Sequence, residues 1–242
     1  MSESLDIVIP VYNEGGNIVR VLDHLSDQVH TPFRILIGYD RDDDDTLPAL
    51  AGYPSEKVKI VLVKNRGRGV IGAIKTCFEE SRTPAALVFP ADDVFNGGII
   101  DRMVDGFMEG CDIVAASRFM KGGRMTGCPP IKAVLVRSAA WILFHVAGLP
   151  THDPTNGFRL FSRRVIRQIP IESDRGFAFS LELLVKAHRR RWKIGEVPSV
   201  WIERDTGQSR FRVFRWLPVY LKWFFLALCP RPRSWVSDGD SA

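Results

Sequence analysis

The first half of the chain alternates short apolar runs with segments whose apolar residues recur every three or four positions. Residues 6–11 form an apolar run that closes around Pro10, and Ile18, Val21, Leu22 and Leu25 then share one helical face. The rhythm repeats. It predicts strands over 33–39, 58–63, 85–89 and 112–116, a short helix over 46–51, a helix opened by Gly67, Gly69 and Gly72 and running to Glu80, and a helix over 99–108. Short apolar strands separated by helices mean an α/β fold with a mostly parallel sheet covered on both faces. Ligands of such sheets bind beyond the carboxyl ends of the strands. Residues 10–14, 40–45 and 65–69, Asp92-Asp93 and Ser117-Arg118 fall there, which gives the rim a polar and partly acidic character.

The second half is less regular. An apolar helix with Arg137 and His145 spans 131–146, a loop 151–158, a short strand 160–161 and an amphipathic helix 179–191. The run 194–201 reads as a strand, edge or bulged because Pro198 lies in it.

Composition adds little to this picture, and charge adds more. With 242 residues, 45% hydrophobic and 25% charged, the chain is an ordinary globular one and its core needs no disulfide staples. Cys77, Cys111, Cys128 and Cys229 show no metal-ligand spacing and read as reduced thiols, which points to a cytoplasmic protein. The polar, acidic start is unlike a signal peptide, and the longest apolar candidate, 216–228, holds Pro218 and Lys222 and is too short to span a bilayer. The net charge is +5, yet residues 204–233 carry +6 and the remainder −1. This basic segment also holds Trp216, Tyr220, Trp223, Phe224 and Phe225. Two readings stand for it: a helix at the interface of an anionic membrane, or a C-terminal helix packed on the domain. Nucleic acid is not an expected partner, since no reading motif accompanies the charge.

Several constellations can carry chemistry. Tyr12 and Glu14, just past the first strand, suit stacking on and hydrogen bonding to a flat heterocycle; the alternative is a plain strand, turn and helix start at Asn13. Five carboxylates crowd residues 40–45, with Asp40 nearest the strand end and the others expected in solvent. Asp92 and Asp93 can hold a divalent cation that neutralises a diphosphate. Arg118, beside Gly122-Gly123, suits phosphate because a guanidinium can grip two oxygens. Residues 153–159 (Asp-Pro-Thr-Asn-Gly-Phe-Arg) read foremost as a structural turn.

Taken in order, these segments resemble family 2 glycosyltransferases of the GT-A fold, a Rossmann-like nucleotide-diphospho-sugar transferase architecture. The resemblance lies in the branch of the dolichol-phosphate mannose synthases and polyprenyl-phosphate glycosyltransferases. Its carriers are residues 9–14, the Asp40 loop, Asn65-Arg66-Gly67-Arg68-Gly69, Asp92, Ser117-Arg118-Phe119 with Gly122-Gly123, residues 153–159, Phe179 with Glu182, and residues 194–198. It implies a domain over 1–212 and a basic aromatic tail over 213–242. It further implies an inverting transfer of a sugar, mannose foremost and GDP-mannose as donor, to a polyprenyl phosphate. By that likeness Pro10, Tyr12, Glu14, Asp40, Ala91 and Asp92 bind the nucleotide-sugar, and Arg204 and Arg210 belong to a loop closing over it. Asp92, with Asp93, would be catalytic and hold Mg2+ or Mn2+, and Arg118 would meet the acceptor phosphate. The enzyme would work at the cytoplasmic face of a membrane, held there peripherally by its tail.

Pro90 stands where that family begins its D-x-D motif, so either Asp93 serves as second ligand or metal binding is weakened. That departure also motivates a catalytically weak nucleotide-sugar-binding protein as an alternative. Transfer to a sugar hydroxyl is another, and it needs a carboxylate base, for which Asp153 is the first place to look. A phosphate acceptor needs none, because its second pKa lies near ~6.

Overall fold

The computed structural model describes residues 4–54, 56–202 and 213–230, with only the backbone of 213–216. Strands β1 (Leu5–Pro10), β2 (Phe33–Tyr39), β3 (Ile60–Lys64) and β4 (Ala85–Val88) alternate with helices α1 (Ile18–Gln28), α2 (Thr46–Ala51) and α3 (Gly69–Glu80). A 3-10 turn leads into α4 (Ile100–Met108), followed by β5 (Ile113–Ser117), β6 (Arg124–Thr126) and α5 (Pro130–His145). Then come β7 (Arg159–Ser162), α6 (Arg163–Gln168), α7 (Ala178–Arg189), β8 (Ile194–Pro198), β9 (Val200–Ile202) and α8 (Val213–Leu228).

The main sheet runs β3-β2-β1-β4-β7-β5-β8. Only β7 is antiparallel, to β4 and to β5. Because side chains alternate along a strand, the sheet feeds two cores. Leu5, Ile7 and Ile9 meet Val21, Leu22 and Leu25 of α1 and Met103 of α4 on one face. Val8 and Leu36 meet Ile71 and Ile74 of α3, Leu183 and Leu184 of α7 and Trp223 of α8 on the other. The chain goes outward from β1 to β3 and then returns to β4 on the other side of β1. That reversal places a crevice beyond the carboxyl ends of β1 and β4, where Tyr12 and Asp92 follow.

Three local features depart from the periodicity. The run 194–201 is two strands, not one: β8 pairs with β5, and after Ser199 the chain turns so that β9 pairs with β6. Pro198, which has no N–H to extend the ladder, ends the first. Strand β6 and helix α6 carry no periodic signal, being three and six residues long. Helix α6 is started by Ser162, whose hydroxyl accepts from the Val165 N–H at 3.2 Å.

Helix α8 packs on the domain in its described part. Trp223 is buried, and its Nε1 donates to the Ser173 hydroxyl at 2.8 Å. The Arg189 guanidinium donates to the carbonyls of Leu226 and Cys229 at 3.0 and 2.9 Å, offsetting the negative helix end. Lys186 and Lys222 flank Glu172 and push its carboxyl down to about 2. Leu217, Leu221 and Phe225, spaced every four residues, remain exposed on the outer side.

Candidate active site

Beyond β1, Tyr12 is half exposed and lines a cleft of about 260 Å³ with Asn13, Arg41, Asp43 and Asp44. Asn13 adopts φ 53°, a left-handed conformation asparagine tolerates. Its N–H donates to both Asp44 carboxylate oxygens at 3.1 Å. Glu14 N–H donates to the Thr46 hydroxyl at 3.0 Å and Gly15 N–H to Asp45 Oδ1 at 2.8 Å. The acidic loop therefore clasps the turn after β1. Asp44 is buried in that clasp, against the expectation of a solvated carboxylate, whereas Asp42 and Asp43 are exposed and paired with Lys64 and Arg41. Asp40 accepts from Asn65 Nδ2 and, at 2.9 Å, from the Gly69 N–H, so it fixes the turn that opens α3. Glu14 Oε2 accepts from Asn17 Nδ2 at 2.8 Å, and Pro10 closes β1 opposite Gly38.

Beyond β4, Ala91 is buried and Asp92 is half-buried at the strand tip. Asp93 is a structural turn residue. Its Oδ1 accepts from the Phe95 and Asn96 N–H groups at 2.8 and 3.0 Å, and its Oδ2 from Asn96 Nδ2 at 2.6 Å. Asn96 in turn bonds both the N–H and the carbonyl of Val200, tying the β4 tip to β9. Burial pushes the Asp93 carboxyl up, only partly offset by these bonds. A carboxylate so engaged is poorly placed as the second ligand that Pro90 calls for. Among the described residues no group of three or more His, Cys, Asp or Glu could hold a metal ion.

Arg118 follows β5 and is also differently engaged from expectation. Its Nε donates to Asp153 Oδ2 at 2.6 Å and its Nη2 to Asp153 Oδ1 at 2.9 Å and Thr155 Oγ1 at 3.0 Å. The Nε and Nη2 donors are taken, so the guanidinium keeps only the N–H groups of Nη1 for a phosphate. Nη1 remains, and Arg118 lines a cavity of about 440 Å³ with Phe119, Arg124, Arg137, Trp141 and His152 among its neighbours. Asp153 is fully buried. Burial by itself would raise its carboxyl, but the Arg118 charge and hydrogen bonds prevail and hold it below the usual carboxylate range. A buried, paired and acidified carboxylate does not act as a base, which removes Asp153 from that role.

The turn over 153–159 supports this pair. Asn156 Nδ2 donates to the Ala116 carbonyl at 2.9 Å, and buried Arg159 donates to the carbonyls of Ser180 and Asp153 at 2.6 and 3.1 Å. Burial pushes the Arg159 guanidinium down to about 10. The glycine pair matters for the same reason. A Cβ on Gly123 would lie 2.4 Å from the Ser117 carbonyl oxygen, so only glycine lets the loop fold back over Arg118.

The structure brings Tyr12, Asp40 and Asp92 to one rim and sets Arg118 on a neighbouring cavity. Arg204 and Arg210 lie outside the described residues. Arg137 was not among the expected site residues, yet it reaches over the Phe119 ring at 5.6 Å, the ring Arg118 also faces at 5.1 Å. A lone arginine in an apolar helix was its only sequence signal. Glu196 stood out only as part of the 194–198 run, and His152 gave no signal.

A sheet that reverses at β1 and β4, with an aromatic cleft past one strand and carboxylates past the other, is the architecture of the GT-A glycosyltransferases. Solved structures bear this out: glucosyl-3-phosphoglycerate synthase from Mycobacterium tuberculosis, in complex with Mn2+, UDP-glucose and phosphoglyceric acid, superposes with TM-score 0.67 at 17% identity, over 96% of this chain and 82% of that one. The chain belongs to Glycosyl transferase family 2, whose pattern matches residues 6–170, and it is a glycosyltransferase. Among its relatives is the polyprenol monophosphomannose synthase of Mycolicibacterium smegmatis, 28% identical over 215 residues, 84% of this chain and 79% of that protein. The dolichyl-phosphate beta-glucosyltransferase of Saccharomyces cerevisiae is 27% identical over 86% of this chain and 70% of its own length. The dolichol-phosphate mannosyltransferase of Pyrococcus furiosus is 24% identical, and this chain spans 59% of its length.

Proposed function

We propose that this enzyme transfers a sugar, with inversion, from a nucleoside-diphosphate sugar to a polyprenyl phosphate at a membrane surface. The observation that carries the reading is the cavity beside β5. It joins two guanidinium groups, Arg118 and Arg137, to the rings of Phe119, Trp141 and Phe144. Cations suit a phosphate, and the apolar wall suits the first units of a prenyl chain. The relatives' names favour this acceptor and divide between mannose and glucose. GDP-mannose is the first donor to try and a UDP-sugar the second.

In this reading Tyr12 and the cleft around it hold the base, with Pro10, Glu14 and Asp40 at the neighbouring strand ends completing the nucleotide-sugar site. Asp92 is the residue that would meet a Mg2+ or Mn2+ ion arriving with the donor diphosphate. The acceptor phosphate is already largely ionised near neutrality, so positioning by Arg118 Nη1 and Arg137 does most of the work. Arg204 and Arg210 would offset charge on the leaving diphosphate. Asp153, paired with Arg118, is not available as the base that transfer to a sugar hydroxyl needs.

Among the described residues no helix is long and apolar enough to cross a membrane. The outer face of α5, however, is apolar: Ile131 is 78% exposed, Val134 63%, Leu135 56% and Trp141 60%. With exposed Lys121 and Arg124 close by in sequence, and the cavity on its flank, this face suits an anionic bilayer as well as the tail does.

Incubation with labelled nucleotide-sugar and polyprenyl phosphate, followed by organic extraction, tests the reading. Label confined to the aqueous phase rejects the lipid acceptor. Asp92→Ala and Arg118→Ala should each reduce transfer by orders of magnitude, and near-normal rates in both would remove the site assignment.

A further inference from the structure

The two halves of the proposed site sit on strands that are not neighbours. Asp92 follows β4 and Arg118 follows β5, with β7 between them. Past the strand ends, a run of hydrogen bonds joins the two tips. It starts at Asn96, which is 3% exposed and spends both amide hydrogens and its oxygen. Nδ2 donates to Asp93 Oδ2 at 2.6 Å and to the Val200 carbonyl at 2.7 Å, and Oδ1 accepts from the Val200 N–H at 2.8 Å. Val200 opens β9 and pairs with Arg124 of β6. The Arg124 N–H donates to the Ser199 carbonyl, and the Ser199 N–H to the Ser117 carbonyl, each at 2.9 Å. Ser117 ends β5 and precedes Arg118. Between Asp93 and Ser117 this path runs through a single side chain, that of Asn96, and otherwise through backbone.

That side chain can be removed without dismantling either half. The Phe95 and Asn96 backbone N–H groups hold Asp93 Oδ1 at 2.8 and 3.0 Å, and an alanine variant keeps both, so the turn that carries Asp92 persists. Arg118 keeps its fork to Asp153. What goes is the link between them. We propose that Asn96 is a positioning residue: its carboxamide sets the Asp92 turn against the β6–β9 ribbon, and so against Arg118, at the separation that brings acceptor phosphate and donor anomeric carbon into line. The inference rests on the acceptor assigned above. Transfer is steep in that separation, since an error of about 1 Å costs about 10²-fold in rate. Binding at either half by itself depends on it far less.

The test is kcat and both KM values per folded molecule, with farnesyl phosphate and either GDP-mannose or UDP-glucose, whichever the wild type uses. N96A should lose about 10²-fold in kcat with both KM values nearly unchanged. N96S, whose hydroxyl can keep one of the three bonds, should fall between N96A and the wild type, and it carries the test if N96A does not fold. D93N/N96D exchanges amide and carboxylate, so the contact between positions 93 and 96 and an acceptor for the Val200 N–H both survive. That exchange should recover most of the lost kcat. T83A removes a buried hydroxyl at the amino end of the sheet, where it donates to the Ala85 carbonyl at 2.7 Å, and should leave kcat as it is. A loss confined to one KM, an equal loss in T83A, or a D93N/N96D as slow as N96A overturns the proposal. Absence of any wild-type transfer to farnesyl phosphate overturns the acceptor assignment and this inference with it, whereas transfer with matching wild-type and N96A kinetics, or N96S where N96A does not fold, overturns the inference alone.

Discussion

Two buried arginine–aspartate forks sit at opposite ends of the sheet and do different work. At the amino end, Arg34 Nε and Nη2 donate to Asp6 at 2.5 and 3.2 Å, the two residues facing each other across β1 and β2. At the carboxyl end, Arg118 makes the same fork to Asp153, thirty-five residues away in sequence. Burial is alike: the side chains are 11% and 0% exposed in the first pair, 13% and 0% in the second. The difference lies in what surrounds them. Asp6 also accepts from Ser81 Oγ, Arg82 N–H and Thr83 N–H, and Arg34 reaches the Glu80 carbonyl, so the first fork is closed by the loop before β4. The second opens on a cavity. Identical chemistry is thus closed over by a loop at one end and open to a cavity at the other, and the direction in which the sheet presents its carboxyl ends decides which.

The sharpest way to break the comparison is to remove one carboxylate from each pair. Asp6→Ala and Asp153→Ala should each lower unfolding stability by about 3–5 kcal/mol in urea titrations, because each leaves a buried guanidinium unpaired. Only Asp153→Ala should also abolish transfer per folded molecule. Next, Arg118→Lys and Arg34→Lys keep charge and lose the fork. Steady-state assays should show turnover reduced about 10²–10³-fold in the former, where an aimed donor is lost, and unchanged per folded molecule in the latter.

Acid titration sharpens the likeness. Burial would raise the carboxyl of Asp6, and its bonds to Arg34, Ser81 and the 82–83 backbone outweigh it, as Arg118 does for Asp153, so both lie below their ordinary values. A carboxyl depressed by folding contributes stability that is fully present above its unfolded value, about 3.9, and lost as pH falls through the lower folded value. Urea midpoints measured from pH 6 to 2 should fall steeply below pH 4 in the wild type, and less steeply in Asp6→Asn and Asp153→Asn. The smallest effect is expected at Arg137→Ala: the loss of one charge-assisted hydrogen bond, about 1.5 kcal/mol, raises acceptor KM about tenfold and leaves donor KM unchanged.

Much of the sheet and its first four helices was legible because each element announces itself locally. Ile18, Val21, Leu22 and Leu25 show one face, and all four are buried in α1. The apolar run at β1 points alternately into two cores, which a run without polar interruption allows. The split between β8 and β9 was signalled by Pro198 but not resolved, since a break in pairing depends on partners elsewhere. The rim itself was legible too. What its residues touch was not: Asp93 reads as a ligand and is a turn-holding acceptor, Asp44 reads as solvated and is buried, and Arg118 reads as a two-handed phosphate clamp with both hands already on Asp153. Each of these depends on a donor distant in sequence or on backbone geometry that residue type does not encode.

The sequence by itself determined the α/β order, the polar rim and, through an ordered set of short motifs, the glycosyltransferase class. Periodicity and turn chemistry act within a few residues, so they survive without a structure. The tertiary structure alone decided the rest: that α8 lies on α7 through Trp223, that Arg137 joins Arg118 across Phe119, and that Glu196 holds His152 from 44 residues away. Charge and hydrogen bonding act over ångströms in space, and only the folded chain fixes which charges come that close.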